Sequence, residues 1–174
     1  MLLVAATVCR AQEIPQFPGP EKEHEWLEQL VGEWDGDVEM YMDPSKPPMK
    51  AKGTESVRSV GGFWTLGEVK SDLGGMPYTG IMTLGYDADK KKYVGTWVDS
   101  MTSHHWKYEG KLDPTGKILT LETKGPCPLR PGELSNFKEV IEIKDKDHKV
   151  FSSSIEIEDG KWQTGMIGRY TRKK

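Results

Sequence analysis

Cysteine and histidine are scarce in this chain of 174 residues, at two and four. Two cysteines, Cys9 and Cys127, cannot build a disulfide framework. Cys127 stands in Gly125-Pro126-Cys127-Pro128, where flanking prolines set a loop rather than the helix N-terminus that would activate a thiolate. Charge of one sign is lacking too: 24 Lys and Arg face 27 Asp and Glu, a net of −3. That balance leaves no basic stripe for nucleic acid, and the Lys90-Lys91-Lys92 run reads as a solvated turn between strands. No run approaches the roughly 20 apolar residues of a transmembrane segment. There is no serine nucleophile motif, no HExxH, no Cys/His ligand cluster and no phosphate-cradling glycine loop.

Glycine is plentiful, at 19 residues, and six of the aromatics are tryptophan, a composition that suits an all-β domain with tight turns. The first residues differ in kind. The apolar run from Leu2 to Val8, then Cys9-Arg10-Ala11, resembles a signal peptide missing its front end, with small residues where a signal peptidase would cut. Residues 1–11 are therefore expected to direct export to the periplasm or beyond; without that role the chain stays cytoplasmic. Residues 12–21 form a proline-rich linker, and the domain proper is expected over 22–174. Within EKEHEWLEQL (21–30), Trp26, Leu27 and Leu30 share the face of a short amphipathic helix, while His24, set among glutamates, is expected in solvent.

From Gly32 onward the period becomes alternating. In the first strand Trp34, Val38 and Met40 share one face and Asp35, Asp37 and Glu39 the other. Further strands are expected over 50–60, 63–71, 77–86, 92–100, 103–112, 117–124, 135–144, 149–158 and 161–172. Short turns separate most of them, including Asp113-Pro114-Thr115-Gly116 and Asp159-Gly160, the latter a pair that type I′ turns favour. Ten consecutive strands without a crossover helix predict an antiparallel up-and-down barrel, a closure that removes both sheet edges.

Gly32-Glu33-Trp34, directly after a short helix and opening the first strand, resembles the G-x-W of the calycins, which include lipocalins, fatty-acid-binding proteins and haem-binding nitrobindins. A fuller resemblance is to the bacterial family known as domain of unknown function 1579, usually placed with the calycins. It rests on LVGEWDGD (30–37), GGFWTLGEV (61–69), GGMPYTGIMTLGYDADKKKYVGTWVDSM (74–101), GKILTLETKGP and the final YTRKK. The resemblance implies a ten-stranded calycin-like barrel and supplies no reaction. It also implies that Trp34 closes one end beneath a basic residue of the last strand, for which Arg169 and Arg172 are the candidates. Nitrobindins hold haem through a histidine near the C-terminal strands. The last strand here has none, His148 sits in a turn, and Met166 reads as core packing, so haem is disfavoured and no cofactor is expected.

The doublet His104-His105 cannot chelate one ion, because strand neighbours point to opposite faces. Parity sets His104, Trp106, Tyr108 and Leu112 on the apolar face and His105, Lys107, Glu109 and Lys111 in water. His104 is thus expected at the lumen or its rim, with Asp99 as a hydrogen-bond partner. Trp97, Asp99, His104, Trp106 and Tyr108, joined by Met82, are the candidate lumen-lining ligand contacts; no residue is assigned as catalytic or metal-binding. Three readings follow: a barrel holding a small, largely apolar molecule, a barrel enzyme using His104 with a nearby carboxylate, and a filled structural or interaction barrel of the cell envelope. Interior volume separates them.

Overall fold

A computed structural model describes residues 18–43 and 45–174. The signal-like run 1–11 and most of the linker 12–21 lie outside them. One helix, α1 (Lys22–Glu28), precedes ten strands: β1 (Gly32–Met40), β2 (Met49–Val60), β3 (Trp64–Asp72), β4 (Pro77–Asp87), β5 (Lys92–Asp99), β6 (Trp106–Leu112), β7 (Ile118–Pro126), β8 (Leu134–Ile143), β9 (His148–Glu158) and β10 (Lys161–Arg172). Each pairs antiparallel with its sequence neighbour, and β10 returns to β1, closing the barrel. The expected all-β, ten-stranded up-and-down barrel is thus what the chain forms.

Two local expectations are corrected. Strand β6 begins at Trp106, three residues later than its polar-aromatic alternation predicts, so both histidines of the doublet lie in the β5–β6 connection. The Asp159-Gly160 hairpin is not type I′, which needs positive φ at both residues. Only Gly160 has it, at 72°, and the register shifts between Lys161 and Trp162, so a bulge takes up the twist.

The end of the barrel nearest α1 is sealed in layers. Leu27 and Leu30 are buried, the indole of Trp26 donates to the Gly116 carbonyl at 3.0 Å, and the Tyr93 hydroxyl donates to the Glu23 carbonyl at 2.8 Å. His24 is not solvated as its glutamate neighbours imply. It is buried edge-on against Phe63 and Tyr86, and its Nδ1 accepts the Glu21 N–H at 2.9 Å. Its immediate neighbours Glu23 and Glu25 are both acidic, yet helix position rather than local composition decides which side meets the barrel.

Beneath α1 lies Trp34, 1% exposed, its indole N–H bonded to the Leu30 carbonyl at 2.9 Å. The guanidinium of Arg172 stacks 4.0 Å from the Trp34 ring and donates to the carbonyls of Gln29, Val31 and Lys146. Of the two candidates for closure Arg172 is therefore the cap. Arg169 has the opposite parity, faces solvent and pairs with Glu39 at 2.9 Å. That bridge is screened by water and contributes little.

Inside, glycines alternate with rings. Eight of the ten strands carry an inward glycine: Gly36, Gly53, Gly67, Gly80, Gly95, Gly110, Gly125 and Gly168. A Cβ on Gly80 would fall 2.2 Å from Trp97, one on Gly125 2.1 Å from Trp106, and one on Gly36 or Gly168 2.7 Å from Tyr170. The rings lie flat on bare backbone rather than crossing the interior.

Trp34→Ala should lower stability by about 3–5 kcal/mol, as for other buried large-to-small changes. Arg172→Met should cost about 1.5–3 kcal/mol through its lost charge-assisted hydrogen bonds, whereas Arg169→Met should leave the urea midpoint nearly unchanged.

Candidate functional site

The barrel is hollow. A cavity of about 560 Å³ runs along its axis from a floor at Leu30 to the end opposite α1. Its walls are mostly aliphatic and aromatic, and every methionine of the described residues lines it. Met42, Met76 and Met101, on the β1–β2, β3–β4 and β5–β6 connections, and Met49 at the start of β2 are about half exposed or more and ring the mouth. Thioethers are apolar, unbranched and pliable, which suits a surface that must fit more than one shape.

Of the residues expected to contact a ligand, Met82, Trp97, Asp99, Trp106 and Tyr108 line this cavity. His104 does not. Because β6 starts only at Trp106, strand parity does not reach His104, and its ring stands edge-on against Trp106 with centroids 4.7 Å apart, partly exposed. Nor is Asp99 its partner. One Asp99 oxygen accepts the Trp97 indole N–H at 3.1 Å, and the other accepts the N–H groups of Met101 and Thr102 at 2.8 and 2.9 Å. Asp99 thus shapes the β5–β6 loop at the mouth and fixes the Trp97 ring. His105 is exposed, His148 bonds Asp145 on the β8–β9 turn, and His24 lies in the cap. None of the four histidines is among the residues that line the lumen.

Beyond Tyr108 toward the mouth, β6 and β7 part company. Their paired register runs only from Glu109–Glu122 to Leu112–Leu119. Trp106 occupies the resulting slot, over Gly125 and edge-on to Phe137 at 5.0 Å.

Two buried charged groups on the lining escaped the sequence reading. Near the floor, Lys149 Nζ lies 2.8 Å from Glu55 and over the rings of Trp34 and Tyr170. Burial pushes the Lys149 ammonium down from its ordinary range, while Glu55 holds it up. Higher on the wall, Glu139 Oε1 accepts the Ser153 hydroxyl at 3.0 Å, but Oε2 is buried with no partner among the described residues. Burial pushes the Glu139 carboxyl up to about 8, with the Ser153 bond opposing in part. Tyr78, Tyr108 and Tyr170 share the lumen, and burial raises all three phenols; Asp99 and Glu139 also act on Tyr108. Glu139 left a signal: Phe137, Glu139, Ile141 and Ile143 alternate on one face, so a carboxylate interrupts an inward apolar row.

The family described as "Protein of unknown function (DUF1579)" matches residues 19–172. The chain belongs to the DUF1579 family. No curated protein matches this DUF1579 chain. Among solved structures, "Crystal Structure of Rv2717c from M. tuberculosis" superposes with a TM-score of 0.65 at 16% identity, covering 88% of this chain and 99% of that one. At such identity the likeness speaks to the fold alone.

Glu139 makes stability depend on pH. Its carboxyl binds a proton more tightly folded, at about 8, than at its ordinary value of 4.5. The native state therefore holds the extra proton between these values, and stability falls as pH rises through them. Glu139→Gln should remove that slope: urea midpoints of the two proteins should converge near pH 4 and diverge by pH 9 in favour of the variant.

Proposed function

We propose that this DUF1579 barrel is a calycin-like binding protein that holds a small, largely apolar molecule in its lumen. The observation that carries the reading is the hollow interior of about 560 Å³, walled by apolar side chains and open at a methionine-ringed mouth. Ligand pockets typically occupy roughly 300–1,000 Å³ and are lined in this way. An apolar space of this size is costly to leave unfilled, since the lining forgoes dispersion contacts that a ligand would restore.

The filled structural barrel expected as an alternative has no counterpart to this volume. The enzyme alternative needs His104 beside a carboxylate in a cleft, and His104 stands outside the lining with Asp99 bonded elsewhere. Under the export reading of residues 1–11, the ligand would be met outside the cytoplasm.

Environment-sensitive fluorescent lipids titrated into the protein should show saturable binding at a single site. Val38→Trp adds a ring from the wall where the cross-strand neighbours are only Ala51 and Gly168. It should keep the far-UV spectrum and weaken binding roughly tenfold or more. Absence of saturable binding to the wild type, or full binding by a folded Val38→Trp, contradicts the proposal.

A further inference from the structure

The lumen reading leaves open which head group the lumen accepts, and the charged groups on its wall narrow the choice. They are Glu55, Asp99, Glu139 and Lys149. Lys149 is committed to Glu55 and to two aromatic faces. Both oxygens of Asp99 accept hydrogen bonds from its own loop and from Trp97. Glu139 differs in being buried without a cation beside it: one oxygen takes the Ser153 hydroxyl, and Oε2 is the buried carboxyl oxygen with no hydrogen-bond partner among the described residues.

Each class of ligand meets this wall differently. An anionic amphiphile finds no free cation and three carboxyl groups. A pure hydrocarbon leaves Oε2 as unsatisfied as it is in the empty barrel and draws no affinity from it. A cationic head group supplies what is missing. It donates to Oε2, and it enters a neighbourhood of aromatic rings whose faces attract cations. Phe137 shares the strand face with Glu139, Trp106 stands edge-on to Phe137 at 5.0 Å, and Tyr108 lies close enough to Glu139 for its phenol to feel the carboxyl.

We propose, resting on the lumen reading above, that the ligand is an amphiphilic amine whose ammonium docks on Glu139 Oε2 beside Phe137, Tyr108 and Trp106 while its apolar body fills the lumen toward the methionine mouth. The arriving ammonium replaces the water lost by the carboxylate on burial, so Glu139 is ionised in the complex. Ser153 orients the carboxyl group, and the Glu55–Lys149 pair lies nearer the floor as a neutral unit.

The test is calorimetric titration of the full chain with four probes sharing one alkyl chain, below their micelle-forming concentrations: decylamine, decanol, decan-2-one and decanoate. The amine should bind tightest, by roughly tenfold or more over the alcohol, as a charge-assisted hydrogen bond contributes. Glu139→Gln should erase that margin, leaving amine and alcohol bound alike in a variant whose far-UV spectrum matches that of the wild type. If the ketone or the carboxylate binds tightest, or all four bind alike, the head-group inference falls and the lumen reading stands. If the amine keeps its margin in Glu139→Gln, Glu139 is not its partner and the inference falls. If none of the four binds, the lumen reading falls with it.

Discussion

Closure of the sheet between β1 and β10 is the constraint on which the remaining features rest, and Arg172 over Trp34 is where it is made fast. The last strand brings a guanidinium to the first strand's indole, and the same guanidinium ties down the carbonyls of the chain entering β1 and of the β8–β9 turn. Sequence ends of the domain are thereby joined at the point where an open sheet would fray. With that end sealed by Trp34, Leu27, Leu30 and α1, the interior communicates with water at the opposite end, and the cavity acquires a direction: a floor, walls and a mouth.

Polarity along that axis is graded. At the floor a buried ion pair satisfies itself, at the mouth Asp99 spends its oxygens on loop geometry, and between them one carboxyl is half-satisfied. Desolvating a carboxylate without a partner is expensive, so the protein either keeps Glu139 protonated or waits for a partner from outside. A lumen in which every polar group was already paired would discriminate among ligands by shape alone. A single unmet oxygen adds chemical selection at a cost in fold stability.

How much of this could be read from the residues depends on whether a rule applies locally. Alternation is enforced by the pleat, so it placed strands, the Trp34 face and most of the lumen contacts, Met82, Trp97, Asp99, Trp106 and Tyr108 among them. The same rule carried back before the start of β6 counted His104 among the lining residues, which it does not join, because no pleat governs a connection that pairs with nothing there. His24 went wrong for a related reason: its acidic neighbours describe the helix's outer surface, while contact with Phe63 and Tyr86 depends on how α1 lies across the barrel. Arg169 and Arg172 were indistinguishable as charges and separated only by register against β1. Glu139 was visible in the alternation of β8, but a glutamate among hydrophobics carries meaning only once the row is known to face a void.

The inward glycines have an evolutionary consequence. At Gly80 and Gly125 an added methyl group would press on the Trp97 or Trp106 ring, whereas at Gly95 and Gly110 it would fall 2.2 and 2.0 Å from a carbonyl oxygen of the neighbouring strand, where only the backbone can give way. A family built on this frame can therefore vary lumen shape at the glycines beneath rings, while those beside a neighbouring strand's carbonyl are held by the sheet itself.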